Sequence, residues 1–294
     1  MKNLNLKYAL ILLSAVLISS CSVNDDDGDE PQNSSISLNI DGLEDLGPDF
    51  LYEGWIIVDG APLSTGTFSV NSNGDLSQTS FELDATTLAS ATKFVLSIEP
   101  NPDPSTDPAD TKLFVGDFNG NSATLGTGTV APSFDMIEGK FIIAAPTGTG
   151  AEDEKYSGIW FLDNSSGSAV NGLELPALEP GWKYEGWVVM DGIPVTTGTF
   201  TSVTGSDDAS PFSGTNPGPP FPGEDFLVNA PDGLMFPTDI RGKVAVISIE
   251  PYPDNSTAPF VLKPLAGMIP ADAMGVQEID SNVSGSYPTG MVTR

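Results

Sequence analysis

Tyr52-Glu53-Gly54-Trp55-Ile56-Ile57-Val58-Asp59-Gly60-Ala61-Pro62-Leu63-Ser64-Thr65-Gly66-Thr67-Phe68 occurs twice in this chain. It returns 132 residues later (184 − 52) as Tyr184-Glu185-Gly186-Trp187-Val188-Val189-Met190-Asp191-Gly192-Ile193-Pro194-Val195-Thr196-Thr197-Gly198-Thr199-Phe200. An internal repeat of this length sets the architecture ahead of other signals. Trp55 to Val58 is a short apolar run of aromatic and β-branched residues, which favours a strand. Asp59-Gly60 followed by Pro62 marks a turn, since Gly accepts positive φ and Pro fixes its own. Ser64 to Val70 reads as the return strand, so the unit is a β-hairpin with a loop of a few residues. Apolar residues on both faces of the first strand suit a strand in the middle of a packed sheet. Gly66 within the return strand predicts a bulge or a close backbone approach.

A second block follows each hairpin. Phe94-Val95-Leu96-Ser97-Ile98-Glu99-Pro100 matches Ala245-Val246-Ile247-Ser248-Ile249-Glu250-Pro251, offset by 151 (250 − 99). The 19 extra residues (151 − 132) belong to copy two, and the Pro- and Gly-rich run from Pro211 to Gly223 is the evident insertion, expected as a surface loop. Further strands are expected at Leu113–Phe118, Ser122–Leu125, Lys140–Ala145, Tyr156–Leu162 and Phe260–Leu262, and single helical turns at Thr86–Thr92 and Pro270–Met274. Pro288-Thr289-Gly290 echoes Pro146-Thr147-Gly148. With 31 Gly and 25 Pro punctuating short apolar runs, the chain reads as all-β. Two tandem antiparallel β-sandwich domains are expected. The alternative is one pseudo-symmetric sandwich with strands exchanged between copies, because Tyr156–Leu162 has no partner in copy one.

The first residues have the pattern of a targeting segment: Lys2 and Lys7, then an apolar core from Tyr8 to Ile18 too short to span a bilayer comfortably. Ile18-Ser19-Ser20-Cys21 resembles a bacterial lipobox, with Cys21, the one Cys of the chain, as the lipidated residue. Several acyl chains on it would anchor the protein stably, at about 0.8 kcal/mol per buried CH₂. Ser22 resembles the residue that sends lipoproteins to the outer membrane. The acids Asp25 to Glu30 make a solvated tether and resemble a Bacteroidetes-type surface-export signal. The division is therefore a signal peptide over 1–20, lipidated Cys and tether over 21–35, and β-sandwich repeats over 36–150 and 151–294. Without the signal the chain has 9 basic and 40 acidic residues, a net charge of −31 (9 − 40). That excludes nucleic acid as a partner. The membrane is reached through the lipid, and an envelope protein or a glycan is the expected partner.

The hairpin with Ser-Ile-Glu-Pro resembles the C-terminal, extracytoplasmic domain of the anti-sigma-K factor family. The matching positions are Trp55, Gly60, Pro62, Gly66, Phe68, Ser97, Glu99 and Pro100, and in copy two Trp187, Gly192, Pro194, Gly198, Phe200, Ser248, Glu250 and Pro251. Family members that restrain a sigma factor carry a cytoplasmic helical domain and a membrane-spanning helix, and this sequence shows neither. The resemblance implies an envelope-facing sensor or binding module, and it carries over no catalytic residue.

His is absent, which removes His-based triads and most zinc sites. No cofactor and no metal are expected. Asp117 to Asn121 resembles a fragment of a Ca²⁺ loop but lacks the closing Glu, so a turn is the reading there. A pair of carboxylates can still run a glycosidase. The duplicated acids are Glu53, Asp59 and Glu99, mirrored by Glu185, Asp191 and Glu250. Duplication favours a structural role: Asp59 in a turn, Glu99 accepting from backbone N–H groups of the neighbouring loop. Trp55, Trp187 and Trp160 are expected in the core, and Trp182 is the best candidate for a partly exposed aromatic. The expected function is non-catalytic binding or sensing at the outer membrane. The alternatives are a carboxylate-dependent hydrolase of envelope polysaccharide and a structural spacer or adhesive element.

Overall fold

A computed structural model describes residues 32–254 and 256–294; Cys21, the signal segment and most of the acidic tether lie outside the described residues. In chain order the elements of the first half are β1 (Asn33–Asp41), β2 (Phe50–Val58), β3 (Ala61–Phe68), β4 (Ser80–Asp84), α1 (Ala85–Ser90), β5 (Lys93–Pro100), β6 (Lys112–Asp117), β7 (Ser122–Leu125) and β8 (Glu138–Ile143). The second half holds β9 (Gly158–Trp160), β10 (Leu162–Asp163), β11 (Val170–Asn171), β12 (Leu173–Glu174), β13 (Trp182–Met190), β14 (Ile193–Phe200) and β15 (Gly223–Asp225). It closes with β16 (Val244–Pro251), β17 (Leu265–Met268), β18 (Val276–Ile279), α2 (Val283–Ser286) and β19 (Thr289–Thr293). The fold is nearly all β, in antiparallel sheets.

Each repeated hairpin is tighter than a loop of a few residues. Val58 pairs with Ala61, so Asp59 and Gly60 alone make the turn, with φ of 51° and 83°. Two positive φ values define the type I′ geometry that Asp-Gly favours and that matches strand twist. Asp191 and Gly192 repeat it at 52° and 85°. The return strand therefore starts at Ala61 rather than Ser64, and Pro62 is tolerated because β3 is an edge strand. The expected bulge is present: Gly54 faces Gly66 and Trp55 faces Ser64, leaving Thr65 as the extra residue. Thr197 is its counterpart opposite Gly186 and Trp187.

The sheets β3-β2-β5-β6 and β14-β13-β16-β17 are the two copies of the repeat. Facing the first is β4-β1-β19-β7, with the Phe68 and Phe81 rings 6.3 Å apart across the layers. Facing the second is β15-β9-β8 with β18 on the outer edge of β8. There a Cβ on Gly186 would lie 3.1 Å from the Phe161 ring. The long side chains of both pairs of layers join one buried cluster.

Strand membership does not follow the division at residue 150. β8 comes from the first half yet pairs with β9, β12 and β18 of the second. β19, from the second half, pairs with β1 and β7 of the first. The two strands hold equivalent places: Gly290 faces Leu125 as Gly139 faces Ile279, and 290 − 139 is again 151. The halves are thus interlocked by exchanged strands, rather than standing as two self-contained sandwiches. The Pro-Thr-Gly echo is not a structural equivalence, since Thr147 and Gly148 lie in the loop after β8 whereas Thr289 and Gly290 begin β19.

Arg294 fixes β19 in its adopted sheet. Its Nη1 donates to Leu88 O at 2.7 Å and Ala91 O at 2.6 Å, carbonyls at the end of α1. Its guanidinium carbon also lies 4.3 Å from the centre of the Phe118 ring. Cations favour helix C-termini and aromatic faces, so this side chain latches the strand on both counts.

Phe260–Leu262 is not a strand: the Phe260 N–H is taken by the Glu250 carboxylate, and although Leu262 O accepts from Ile249 N at 2.8 Å, the ladder with β16 starts at Leu265. The run Pro211–Gly223 is a surface segment that is also pinned. The Phe212 ring packs 6.3 Å from that of Phe226 and 5.6 Å from that of Phe236, and a Cβ on Gly214 would meet Thr147 O at 2.2 Å.

Candidate functional site

The duplicated polar residues form the same buried relay in both copies. Ser97 and Glu99 are two apart on β5 and share a face, which brings the hydroxyl to the carboxylate. The Trp55 indole N–H donates to Ser97 Oγ at 2.8 Å, Ser97 Oγ donates to Glu99, and Ala109 N donates to Glu99 Oε1 at 2.8 Å. In copy two Trp187 donates to Ser248 at 2.8 Å, Ser248 donates to Glu250, and Phe260 N donates to Glu250 Oε1 at 2.9 Å. Beside each relay a hydroxyl on the return strand, Ser64 or Thr196, donates to Glu53 or Glu185.

These are frame interactions. Glu99 and Glu250 are each 1% exposed and tie the following loop to the sheet. Asp59 and Asp191 sit at the positive-φ turn position, and Asp191 pairs with Lys243 at 2.5 Å. Burial pushes Glu185 up to about 7 and Glu250 up to about 8, and raises Glu99. Low-dielectric surroundings disfavour the charged form, and the hydroxyl and N–H donors offset that only in part. Replacing Ser248 by Ala leaves the Trp187 N–H buried without an acceptor. A loss of about 1–3 kcal/mol in equilibrium denaturation is expected, and the same for Ser97→Ala.

Trp182, expected to be partly exposed, is buried at 3%, with its ring 6.0 Å from that of Phe260. The large neighbour comes from a loop far along the chain, so local sequence does not announce the burial. Trp160 is buried as expected, and its indole N–H donates to Asp225 Oδ1 at 2.7 Å.

Three further acids, Asp207, Glu224 and Asp225, were not predicted as site residues. Asp225 Oδ2 accepts from Thr147 N at 2.7 Å, Glu224 accepts from Ser213, and Asp207 Oδ2 accepts from Gly223 N at 2.9 Å. All three tie the insertion to β9 and its neighbours. Asp207 and Asp208 also line a cavity of about 310 Å³. Burial pushes Asp207 up to about 7, whereas hydrogen bonds from Lys183 and Thr199 hold Asp208 below the usual carboxylate range. The signal available in sequence was Glu224-Asp225, a charged pair between an insertion rich in Pro and an aromatic residue.

A second cavity, of about 300 Å³, lies between the copies. The loop after β1 and the start of β2 form one wall through Glu44, Asp45, Leu46 and Phe50, with Ile98 of β5 beside them. Opposite are Glu250 at the end of β16 and the following loop through Asp254, Thr257 and Phe260. Burial pushes Glu44 up to about 7, against the attraction of Lys263. Burial lowers Lys263 in turn, and Glu44 and Glu250 oppose that fall. The second wall of the cleft is a repeated segment, since Glu250, Pro251, Asp254 and Thr257 match Glu99, Pro100, Asp103 and Thr106 at the 151-residue offset, but nothing local announces that the loop after β1 meets it. Among the described residues no group of three or more His, Cys, Asp or Glu is placed to hold a metal ion.

No protein-family model, no curated protein and no solved structure matches the chain. The fold and the side-chain geometry are therefore the basis for a functional reading.

Proposed function

We propose that this chain is a lipid-anchored cell-envelope protein whose two anti-sigma-factor-like extracytoplasmic units act together as a non-catalytic binding or sensor module. Cys21 carries the anchor, the acidic segment after it spaces the module from the outer membrane, and the cleft between the copies receives the ligand. The observation that carries this reading is the cleft itself: both copies contribute walls to it, so the fold must be complete before the site exists. The repeated carboxylates support the non-catalytic part, because Glu53, Glu99, Glu185 and Glu250 are held by donors of the frame. A concave site of mixed apolar and polar lining is what small-ligand recognition uses.

A second reading, a carboxylate-dependent hydrolase of envelope polysaccharide, is favoured by one observation. Asp207 and Asp208 line a single cavity, and burial raises Asp207 to about 7 while hydrogen bonds from Lys183 and Thr199 lower Asp208, a divergence of the kind an acid and a base would show.

Crosslinking and affinity capture from the native envelope separates the readings. The wild type is compared with Cys21→Ala and with Thr257→Trp, which places an indole in the cleft from an exposed position. A partner or glycan retained by wild type and lost with Thr257→Trp is the expected result. Capture indifferent to Thr257→Trp removes the cleft from the proposal. Release of reducing ends from envelope polysaccharide, abolished by Asp207→Asn, would put the hydrolase ahead.

A further inference from the structure

The most exposed large apolar side chains share one chemistry. Met136, Met235, Met268 and Met274 are 69% to 85% exposed, and no other large apolar side chain among the described residues is as open to solvent. Met291 is 40% exposed, whereas Met190 lies in the core at 1%. Met is ordinarily among the residues withdrawn from water, so its place at the surface here is not explained by packing. Nor do these side chains gather into one docking face. Met136 and Met274 precede opposite ends of the antiparallel ladder between β8 and β18. Met235 lies in the loop between β15 and β16, and Met291 in the sheet of the first half. Other readily oxidised groups are withheld from solvent. Trp55, Trp160, Trp182 and Trp187 are buried, His is absent, and the described residues contain no Cys.

We propose that Met136, Met235, Met268 and Met274 form a reversible oxidation site, through which the protein consumes hydroperoxides and keeps its fold. This goes beyond the binding reading and does not depend on it. The thioether lone pair attacks the terminal oxygen of the hydroperoxide; the S–O bond forms and the O–O bond breaks. The departing alkoxide or hydroxide takes the proton of the transferred oxygen and leaves as alcohol or water. Sulfur is oxidised by two electrons to the sulfoxide. Two thiols of a sulfoxide reductase return the electrons and become a disulfide, and the oxygen leaves as water. Exposure decides the structural outcome. A sulfoxide is polar, and at the four open positions it stays hydrated with little packing to lose. At Met190 the same change would place a polar group among apolar neighbours. The fold thus keeps the reactive sulfurs where oxidation costs little and where a reductase can reach them.

The test exposes the full chain, carrying Cys21→Ala so that no thiol competes, to hydrogen peroxide. Oxygen uptake is followed by intact mass and peptide mapping. Sulfoxide should form at the four positions within about fivefold of the rate of N-acetylmethionine, and at Met190 at least about thirtyfold more slowly. The thermal transition should persist after uptake at the four positions, its midpoint lowered by no more than about 2 °C. Reductases for both sulfoxide epimers, with dithiothreitol, should then remove the oxygens. A variant with Met136→Leu, Met235→Leu, Met268→Leu and Met274→Leu should fold as the parent does and consume peroxide at least about fivefold more slowly. In native cells given a sublethal peroxide pulse, sulfoxide at the four positions of the wild-type chain should rise and then fall. Oxidation of Met190 at the rate of the others, or loss of the thermal transition once the four are oxidised, would overturn the claim that the fold is kept. Unchanged peroxide consumption by the variant would overturn the assignment of the site. Sulfoxide that persists in cells after the pulse would overturn its reversibility.

Discussion

Phe141→Ala is expected to open the sheet of the second half, although Phe141 lies in the first. Phe141 is 1% exposed on β8, and its ring meets that of Phe161 at 6.5 Å with the planes 66° apart. Truncating a buried Phe costs about 3–5 kcal/mol, a large share of the stability of an ordinary domain. Because β8 is paired with β9 and β18, hydrogen exchange should accelerate most in Gly158–Trp160, Gly223–Asp225 and Val276–Ile279. The reciprocal lesion is Val292→Asp on β19, at a fully buried position facing Leu38 and Ala123. A carboxylate there replaces a buried apolar side chain and is expected to cost at least about 4 kcal/mol. Protection should then fall first in β1, β4 and β7, some 170 to 260 residues away along the chain. Exchange that instead rises within the half carrying each substitution would mean that the strands are not swapped.

The same interlocking marks the limit of what the sequence disclosed. The hairpins were legible because their determinants are local: Asp59-Gly60 demands positive φ at two successive positions, and Gly66 marks the bulge. The roles of Asp59 and Glu99 were legible for a related reason, since duplication of a residue in a repeated frame points to the frame. Partner choice for β8 and β19 is not local. Both are short and apolar, and either edge of an antiparallel sheet would satisfy their backbone. The clue was the spacing of Gly139 and Gly290, which share the 151-residue offset of the second block. A Cβ on Gly139 would lie 2.2 Å from Ile279 and one on Gly290 would lie 2.9 Å from Ile40, so each strand comes close to its neighbours there. The more conspicuous Pro-Thr-Gly echo pointed elsewhere. Burial of Trp182 depends on Phe260, and the cleft depends on Glu44 meeting the loop after Glu250. In both cases the partners are brought together only by the finished fold.

Stability should fall as pH rises from 5 to 8, against the usual behaviour of acidic carboxylate networks. Glu185, Glu224 and Glu250 are 7%, 0% and 1% exposed, and burial pushes them up to about 7, 7 and 8 from an ordinary 4.5. Between the unfolded and folded values the native state holds more protons than the unfolded chain, so raising the pH favours unfolding. Their contribution is complete below about pH 4.5 and is lost as the pH passes through 7 to 8. Asp208 and Asp239 shift the other way, lowered by Lys183 and by Arg241. Those groups lose their contribution as pH falls below 3.8, outside the window, and so do not oppose the effect. One pKa unit on one group is worth about 1.4 kcal/mol. A single unit at each of the three acids therefore gives about 4 kcal/mol, or a drop in Tm of about 10 °C for a chain of this size. Thermal unfolding followed by tryptophan fluorescence at pH 5, 6, 7 and 8 measures it. Glu250→Gln keeps an acceptor for Ser248 and Phe260 while removing the titration, so it should raise Tm at pH 8 and leave it nearly unchanged at pH 5. A Tm that stays level or climbs over this range would mean that the three acids are ionised in the folded protein. Their hydroxyl and N–H donors would then outweigh the cost of burial, and the relay would be a charged one.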